Sequence, residues 1–116
     1  MRSMKAVKTK TNRGDENSDP FKVAKGVLKP GVDLYWEYLE AFDAACQRLL
    51  ESRQQRLVVD LTLVNFISSS FVGCLGNLML QALRRKKRVT LRLTEDISWL
   101  FEIMGGQGGI MDVEII

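Results

Sequence analysis

The stretch Leu57–Gly73, LVVDLTLVNFISSSFVG, contains the features that decide the fold. Its start, LVVDL, is a short apolar run with β-branched residues between polar neighbours, which is typical of a buried strand. Three serines, Ser68 to Ser70, then precede a run with apolar residues at helical spacing. Serine is a preferred first residue of helices, so one of the three is expected to be the N-cap. The stretch therefore predicts a strand, a serine-containing turn and a helix.

Two glycines interrupt the predicted helix. Gly73 and Gly76 lie three residues apart, and each costs about 1 kcal/mol relative to alanine in a helix interior. A close contact between the helix and the sheet would explain why side chains are missing there. We therefore expect the helix to pack against the sheet at these two positions.

Upstream of this stretch, the sequence predicts another strand and another helix. Phe21–Leu28 alternates roughly, with apolar residues at 21, 23, 27 and 28, and Pro30-Gly31 ends the segment, which predicts a strand followed by a turn. From Asp33, the expected N-cap, apolar residues recur at helical spacing to about Ser52. The predicted core face of this helix comprises Tyr35, Tyr38, Leu39, Phe42, Ala45, Cys46 and Leu49. Trp36 points away from that face and is a candidate binding anchor.

Downstream, a further strand is predicted over Val89–Leu93, and Thr94 is the expected cap of a third helix. The glycine-rich segment 105–109 ends that helix, and Met111–Ile116 alternates as a final strand. The glycines follow a helix and lack the Lys-Ser/Thr of a phosphate-binding loop, so they are interpreted as a turn. Alternating strands and helices predict an α/β fold, a mixed and mostly parallel sheet of four to five strands with helices packed against it.

Length and composition limit the class of protein. A chain of 116 residues, 46% apolar and 27% charged, fits one globular domain. We place this domain at residues 20–116, after a polar segment, 1–19, that holds either a first edge strand within 4–11 or no regular structure. No apolar run approaches the roughly 20 residues of a membrane span, and the first residues lack the apolar core of a signal peptide. We expect a cytoplasmic protein without membrane insertion.

The chain has no histidine and two cysteines, Cys46 and Cys74. Histidine is the commonest general base and metal ligand, so its absence argues against an enzyme, a metal site or a cofactor. Each cysteine lies among apolar residues with no partner ligand nearby, which favours two buried thiols over a disulfide. Asp60, at a strand end, is the one position that a phospho-aspartate receiver could use. The further acidic residues and the lysine of a receiver are not evident.

The net charge of +3 depends on one basic run. Arg84 to Arg88 supply five positive charges, and without them the balance would be −2. At the end of a helix such a run is favoured by the helix dipole, and it is interpreted as a solvated helix end. Binding of an acidic partner surface is the alternative. Direct nucleic-acid binding is disfavoured because no aromatic residues alternate with the charges.

The stretch Leu57–Gly73 resembles the core signature of STAS domains, in which a VVLDL-type strand leads to F-I/M-D-S-S/T-G-L-G and a helix. The segment VLKPGVD, residues 27–33, is similar to the strand and turn that precede the family's first helix, and the resemblance covers about residues 21–116. Two positions depart from the pattern. Ser68 stands where the family has aspartate, and Phe71 stands where it has glycine.

The resemblance implies a regulatory protein-binding module like the anti-sigma factor antagonists, which bind a serine kinase that is also the anti-sigma factor. In those proteins the first serine of the pair is phosphorylated, and its position here is Ser69. Ser68, Ser70, Phe71 and Gly73 are the expected partner contacts, although Phe71 could instead pack into the core. The alternative is an accessory STAS subunit of a stress-signalling or transport complex that binds its partner without phosphorylation.

Overall fold

The computed structural model describes residues 20–104 and 111–116. The strands are β1 (Val23–Ala24), β2 (Val27–Leu28), β3 (Arg56–Asp60), β4 (Arg88–Leu93) and β5 (Met111–Ile115). The helices are α1 (Leu39–Leu50), α2 (Phe71–Arg84) and α3 (Trp99–Met104), with 3-10 turns at Trp36–Tyr38 and Glu95–Ile97. The predicted strand within residues 4–11 and the glycine turn at 105–109 lie outside the described residues.

The five strands form one mixed sheet in the order β1-β2-β3-β4-β5. β1 and β2 are antiparallel, and every other neighbouring pair is parallel. The predicted α/β fold with a mostly parallel sheet is therefore confirmed. Its parallel part follows from the crossover helices α1 and α2, each of which joins two neighbouring strands.

The prediction of a single strand over Phe21–Leu28 is wrong, because the segment folds back on itself as a hairpin. Its two turn residues, Lys25 and Gly26, have φ angles of 53° and 77°, the left-handed values that a two-residue hairpin turn requires. A Cβ on Gly26 would lie 3.0 Å from Cβ of Gln54. Glycine is therefore required there both by conformation and by space.

Alternate residues of the strands form the core beneath α1 and α2. Leu57 and Val59 of β3 and Val89 and Leu91 of β4 are almost fully buried, as the period of two in a strand requires. The helices meet through Phe42 of α1 and Phe71 of α2, whose ring centroids are 5.2 Å apart in an edge-to-face arrangement. This contact fixes the first turn of α2 against α1.

The basic run does more than solvate a helix end. Lys86 has a φ of 60°, and the amide of Lys87 donates to the Ala82 carbonyl at 2.8 Å, which is a Schellman ending with lysine at the position that glycine prefers. The Lys87 ammonium donates to the Ser52 carbonyl and to the Gln54 carbonyl. Arg85 donates to the Leu50 carbonyl at 3.3 Å. Part of the run therefore satisfies carbonyls at the end of α1.

The predicted third helix is split. Thr94 precedes the short 3-10 turn Glu95–Ile97, and its hydroxyl makes no capping hydrogen bond. Ser98 separates that turn from α3 and donates to the Glu95 carbonyl at 2.8 Å. Ile97 and Leu100 are buried as predicted. No helix among the described residues is long and apolar enough to span a bilayer.

Candidate functional site

The candidate site lies where the loops after β2 and β3 meet at one edge of the sheet. The two strands are parallel, so their carboxyl ends point to the same edge, where α/β proteins commonly bind ligands. Leu34 and Ile67 form a parallel bridge. The Leu34 amide donates to the Phe66 carbonyl, and the Ser68 amide donates to the Leu34 carbonyl, both at 2.8 Å. The turn formed by Ser68, Ser69 and Ser70, called the serine turn below, is therefore held in place by the segment that leads into the first helix.

Asp33 has a different role from the predicted helix cap. Its Oδ1 accepts hydrogen bonds from the amides of Asn65, at 2.8 Å, and Phe66, at 3.3 Å. The helical segment itself begins later, with the 3-10 turn at Trp36. The prediction of a helix N-cap at Asp33 is wrong because the carboxylate binds the distant loop.

The three serines differ in what their hydroxyls contact. Ser68 Oγ lies 3.0 Å from Ser70 Oγ and also accepts a hydrogen bond from the Ser70 amide at 3.4 Å. Ser70 precedes α2 as expected of an N-cap, but its side chain makes no capping bond. Ser69 is exposed. Within the described residues its hydroxyl has no hydrogen-bond partner, so it is the serine most open to reaction.

Phe71, an expected partner contact, is a core residue. Its side chain is 0% exposed and packs against Phe42. Of the two alternatives for this departure from the family pattern, the structure supports the inward one. Phe71 therefore contributes packing energy at the start of α2 and no exposed contact surface.

The exposed apolar residues of this edge come from both loops. Tyr35 stacks on Phe66 with a centroid distance of 4.9 Å and an interplanar angle of 27°, and both rings are about half exposed. Tyr35 was predicted to face the core, and that prediction is wrong. Trp36 is 73% exposed, so it projects from the fold as predicted. Such rings are frequent anchors of protein interfaces.

A groove of about 680 Å³ lies beside the serine turn, between the start of the first helix and α2. One wall comprises Trp36, Glu37, Leu39, Glu40 and Asp43, and the other comprises Ser70, Gly73 and Cys74. Ser70 and Gly73 thus belong to this groove, whereas Ser68 and Ser69 belong to the adjoining turn. The spacing of Glu37, Glu40 and Asp43 by three residues was visible in the sequence, and on a helix it indicates one acidic face.

The expectation that Gly73 and Gly76 pack closely on the sheet is wrong. A Cβ built on either glycine would meet no atom within 4 Å. Gly73 is exposed and leaves the groove open where a side chain would otherwise project.

The two cysteines lie on α1 and α2 as free thiols. Cys46 is buried as predicted, but Cys74 is only half-buried, and its Sγ donates to Asp43 Oδ1 at 3.3 Å. A hydrogen bond with Cys74, followed by burial, raises the pKa of Cys46 far above its usual value. The Cys46 thiol therefore stays protonated and behaves as a small core side chain.

Asp60 is a buried charged residue at the end of β3, with a side chain that is 3% exposed. Its Oδ1 accepts from the Thr62 hydroxyl at 2.6 Å and from the Thr62 amide at 3.0 Å. Its Oδ2 lies 3.0 Å from Arg92 Nη1 and 3.9 Å from Lys29 Nζ. Burial raises the pKa of Asp60, but the bonds from Thr62 and the two cations outweigh burial and hold that pKa below its usual value. Both carboxylate oxygens are thus engaged in structural contacts, which argues against a receiver-type phosphoacceptor.

A family model described as "Mlab, STAS domain" matches residues 20–108. Because the match covers well over half of the sequence, the chain belongs to this STAS family. The match extends from the start of the hairpin to the glycine-rich segment and includes the whole candidate site. No curated protein and no solved structure matches the chain.

Proposed function

We propose that this domain is a regulatory protein-binding module similar to the anti-sigma factor antagonists. Its partner surface would comprise the serine turn, the Tyr35–Phe66 ring pair and Trp36. The observation that carries the proposal is the state of Ser69, which is exposed beside two mutually bonded serines and has no hydroxyl partner in the described part of the chain. A partner serine kinase acting with ATP would operate in the cytoplasm.

The proposed chemistry is transfer of one phosphoryl group to Ser69. Ser69 Oγ attacks the γ-phosphorus of ATP bound to the kinase, the bond to the β-phosphate oxygen breaks, ADP leaves, and a base of the kinase takes the hydroxyl proton. A phosphate before α2 lies near the positive end of the helix dipole, so it is compatible with the folded helix.

The phosphate would weaken partner binding through the apolar part of the surface. It adds nearly two negative charges in the same loop as Phe66 and the Tyr35 ring stacked on it. A partner that covers these rings would have to desolvate the phosphate, which costs free energy unless it is paired. The unphosphorylated protein would therefore bind, and the phosphorylated protein would be released.

A direct test incubates the full chain with a purified anti-sigma-type serine kinase from the same organism and ATP, followed by mass spectrometry. One phosphate is expected on the wild type and on the Ser68→Ala and Ser70→Ala variants, and none on Ser69→Ala. Phosphate on another residue, or none on the wild type, would overturn the serine switch.

The second candidate is an accessory STAS subunit that binds its partner without phosphorylation. The observation that favours it is that Ser68 replaces the family's acidic residue and that its hydroxyl is hydrogen-bonded to the Ser70 hydroxyl. Under this alternative, Ser69→Asp leaves partner affinity within about twofold of wild type. Under the switch, the same substitution lowers it by about tenfold or more.

A further inference from the structure

The groove beside the serine turn combines carboxylates that lack ion-pair partners with an exposed tryptophan. Glu37, Glu40 and Asp43 line one wall, and none of them forms a salt bridge within the described part of the chain. Asp43 accepts a hydrogen bond from the Cys74 thiol at 3.3 Å. Among the residues that the structure describes, no lysine or arginine lines the groove. Its charge is therefore not compensated by any cation of residues 20–104 or 111–116.

The groove also has apolar surface and an open path for a backbone. Trp36 and Leu39 stand on the acidic wall, and the opposite wall has no side chain at Gly73. Removing the side chain at that point allows another chain to approach the helix closely. The groove continues through Ser70 into the serine turn. A ligand that fits it presents cationic groups and apolar groups together and is longer than a single side chain.

We propose that this groove is the docking site for an amphipathic, arginine- or lysine-bearing segment of the partner protein, which places an apolar side chain over Gly73 and its cations on Glu37, Glu40 and Asp43. This assignment rests on the proposed binding function and specifies the chemistry of the partner. Opposite charges steer association and fix register, so the groove would select the partner, while the serine turn would control its release.

The probe is a synthetic helical peptide of leucine, alanine and arginine, without aromatic residues, titrated into the isotope-labelled full chain. Nuclear magnetic resonance should show shifts concentrated at the Trp36 indole and at the amides of Gly73 and Cys74. The same peptide with glutamate at every arginine should not bind. Shifts spread evenly over the surface, equal binding of the glutamate peptide, or equal binding of a free polyamine would overturn the assignment.

Two pairs of matched variants sharpen this test. Combined Glu37→Gln, Glu40→Gln and Asp43→Asn should weaken the peptide about tenfold, which is about 1.4 kcal/mol. Combined Glu51→Gln, Glu95→Gln and Asp96→Asn, which removes three exposed carboxylates outside the groove, should change affinity less than about twofold. Equal effects of the two triple variants would contradict the proposal.

In the second pair, Gly73→Leu should fill the groove and weaken the peptide about tenfold, while Gly76→Leu in the same helix should not. Urea unfolding verifies that each variant is folded. Unchanged affinity in a folded Gly73→Leu variant would contradict the placement of the ligand over this residue.

Other occupants give distinct results. If this chain's own basic N-terminal segment fills the groove, combined Lys5→Glu and Lys8→Glu should raise peptide affinity about tenfold. If a second copy fills it, the same resonances should shift when the protein alone is concentrated. Either result would overturn the assignment to a partner.

The peptide test is also independent of the serine switch. Ser69→Asp adds negative charge and should not weaken a basic peptide, even where it abolishes the partner complex. If the peptide binds but the kinase adds no phosphate to Ser69, the groove assignment stands and the switch is removed. If the kinase phosphorylates Ser69 but the groove variants leave the affinity for the peptide and for the partner unchanged, the switch stands and the groove assignment is removed.

Discussion

The hydroxyl oxygens of Ser68 and Ser70 lie 3.0 Å apart, so two of the three serines before α2 bond each other and the middle one does not take part. Ser68 also accepts the amide proton of Ser70. The hydrogen bonds that stabilise the turn are therefore made by Ser68, and the Ser69 hydroxyl is available for phosphorylation. This separation gives different expectations for neighbouring serines.

Ser68→Ala should lower the free energy of unfolding by about 0.5–1 kcal/mol, because it removes two hydrogen bonds at the start of α2. Ser68→Asp, which restores the family's acidic residue near the positive helix end, should raise it by about 0.5 kcal/mol. Ser69→Ala is the control and should stay within about 0.5 kcal/mol of wild type. Urea denaturation measures all three, and a larger loss for Ser69→Ala than for Ser68→Ala would contradict this division of roles.

Asp60→Asn should destabilise the domain in a pH-dependent way. Because the pKa of Asp60 is lowered in the folded protein, ionisation of Asp60 stabilises the fold above the unfolded pKa of about 3.9, and this contribution is lost as pH falls through the folded value. We expect the free energy of unfolding of Asp60→Asn to be about 2 kcal/mol below that of wild type at neutral pH, and this difference should shrink below about pH 4.

Denaturation of wild type and Asp60→Asn across this pH range measures the effect. The exposed residue Asp96, changed to Asn, is a suitable control. A stability difference for Asp60→Asn that stays constant with pH would show that the charge of Asp60 contributes nothing.

Lys86→Gly should stabilise the protein by about 1 kcal/mol. Lys86 has a φ of 60° at the end of α2, a conformation that costs a side-chain-bearing residue about 1–2 kcal/mol. Arg84→Gly, still within α2, should instead destabilise by about 1 kcal/mol. Thermal unfolding distinguishes the two variants. A loss of stability in Lys86→Gly would mean that the Lys86 side chain stabilises the fold by more than its left-handed backbone conformation destabilises it.

Phe71 and Trp36 should separate stability from binding. Phe71→Ala removes a buried ring and should cost about 4 kcal/mol, while Phe71→Leu should cost about 1 kcal/mol and keep partner affinity. Trp36→Ala should leave unfolding within about 0.5 kcal/mol but weaken the partner complex by about 2 kcal/mol, roughly thirtyfold. Calorimetric titration with the partner kinase measures affinity. If the folded Phe71→Leu variant loses partner affinity and the Trp36→Ala variant keeps it, then Phe71 and not Trp36 contributes to binding.

Local patterns predicted the fold because strands and helices alternate at clear periods. The position of Phe71 was also within reach of the sequence, since Phe71, Leu75, Leu78 and Ala82 share one helical face, and all are buried. The hairpin turn was missed because Phe21, Val23 and Val27 share one period of two on both sides of Lys25 and Gly26, so that the two short strands were read as one.

The role of Asp33 could not be predicted in this way. It bonds residues 32 and 33 positions away, and a cap assigned from neighbouring residues cannot detect such a contact. The groove depends on the same long-range contact, because the segments that line it meet only when β2 and β3 pair. The serine turn was recognisable as a motif, whereas its acidic and aromatic surroundings required the three-dimensional arrangement.

Hydrogen–deuterium exchange of the full chain, alone and bound to its partner kinase, tests the central claim most directly. The account predicts protection over residues 34–43 and 66–74, which include the serine turn, the ring pair and the groove. Exchange at the end of β5, over residues 112–116, should not change. Protection confined to β4 and β5, with the serine turn exchanging as in the free protein, would contradict the account.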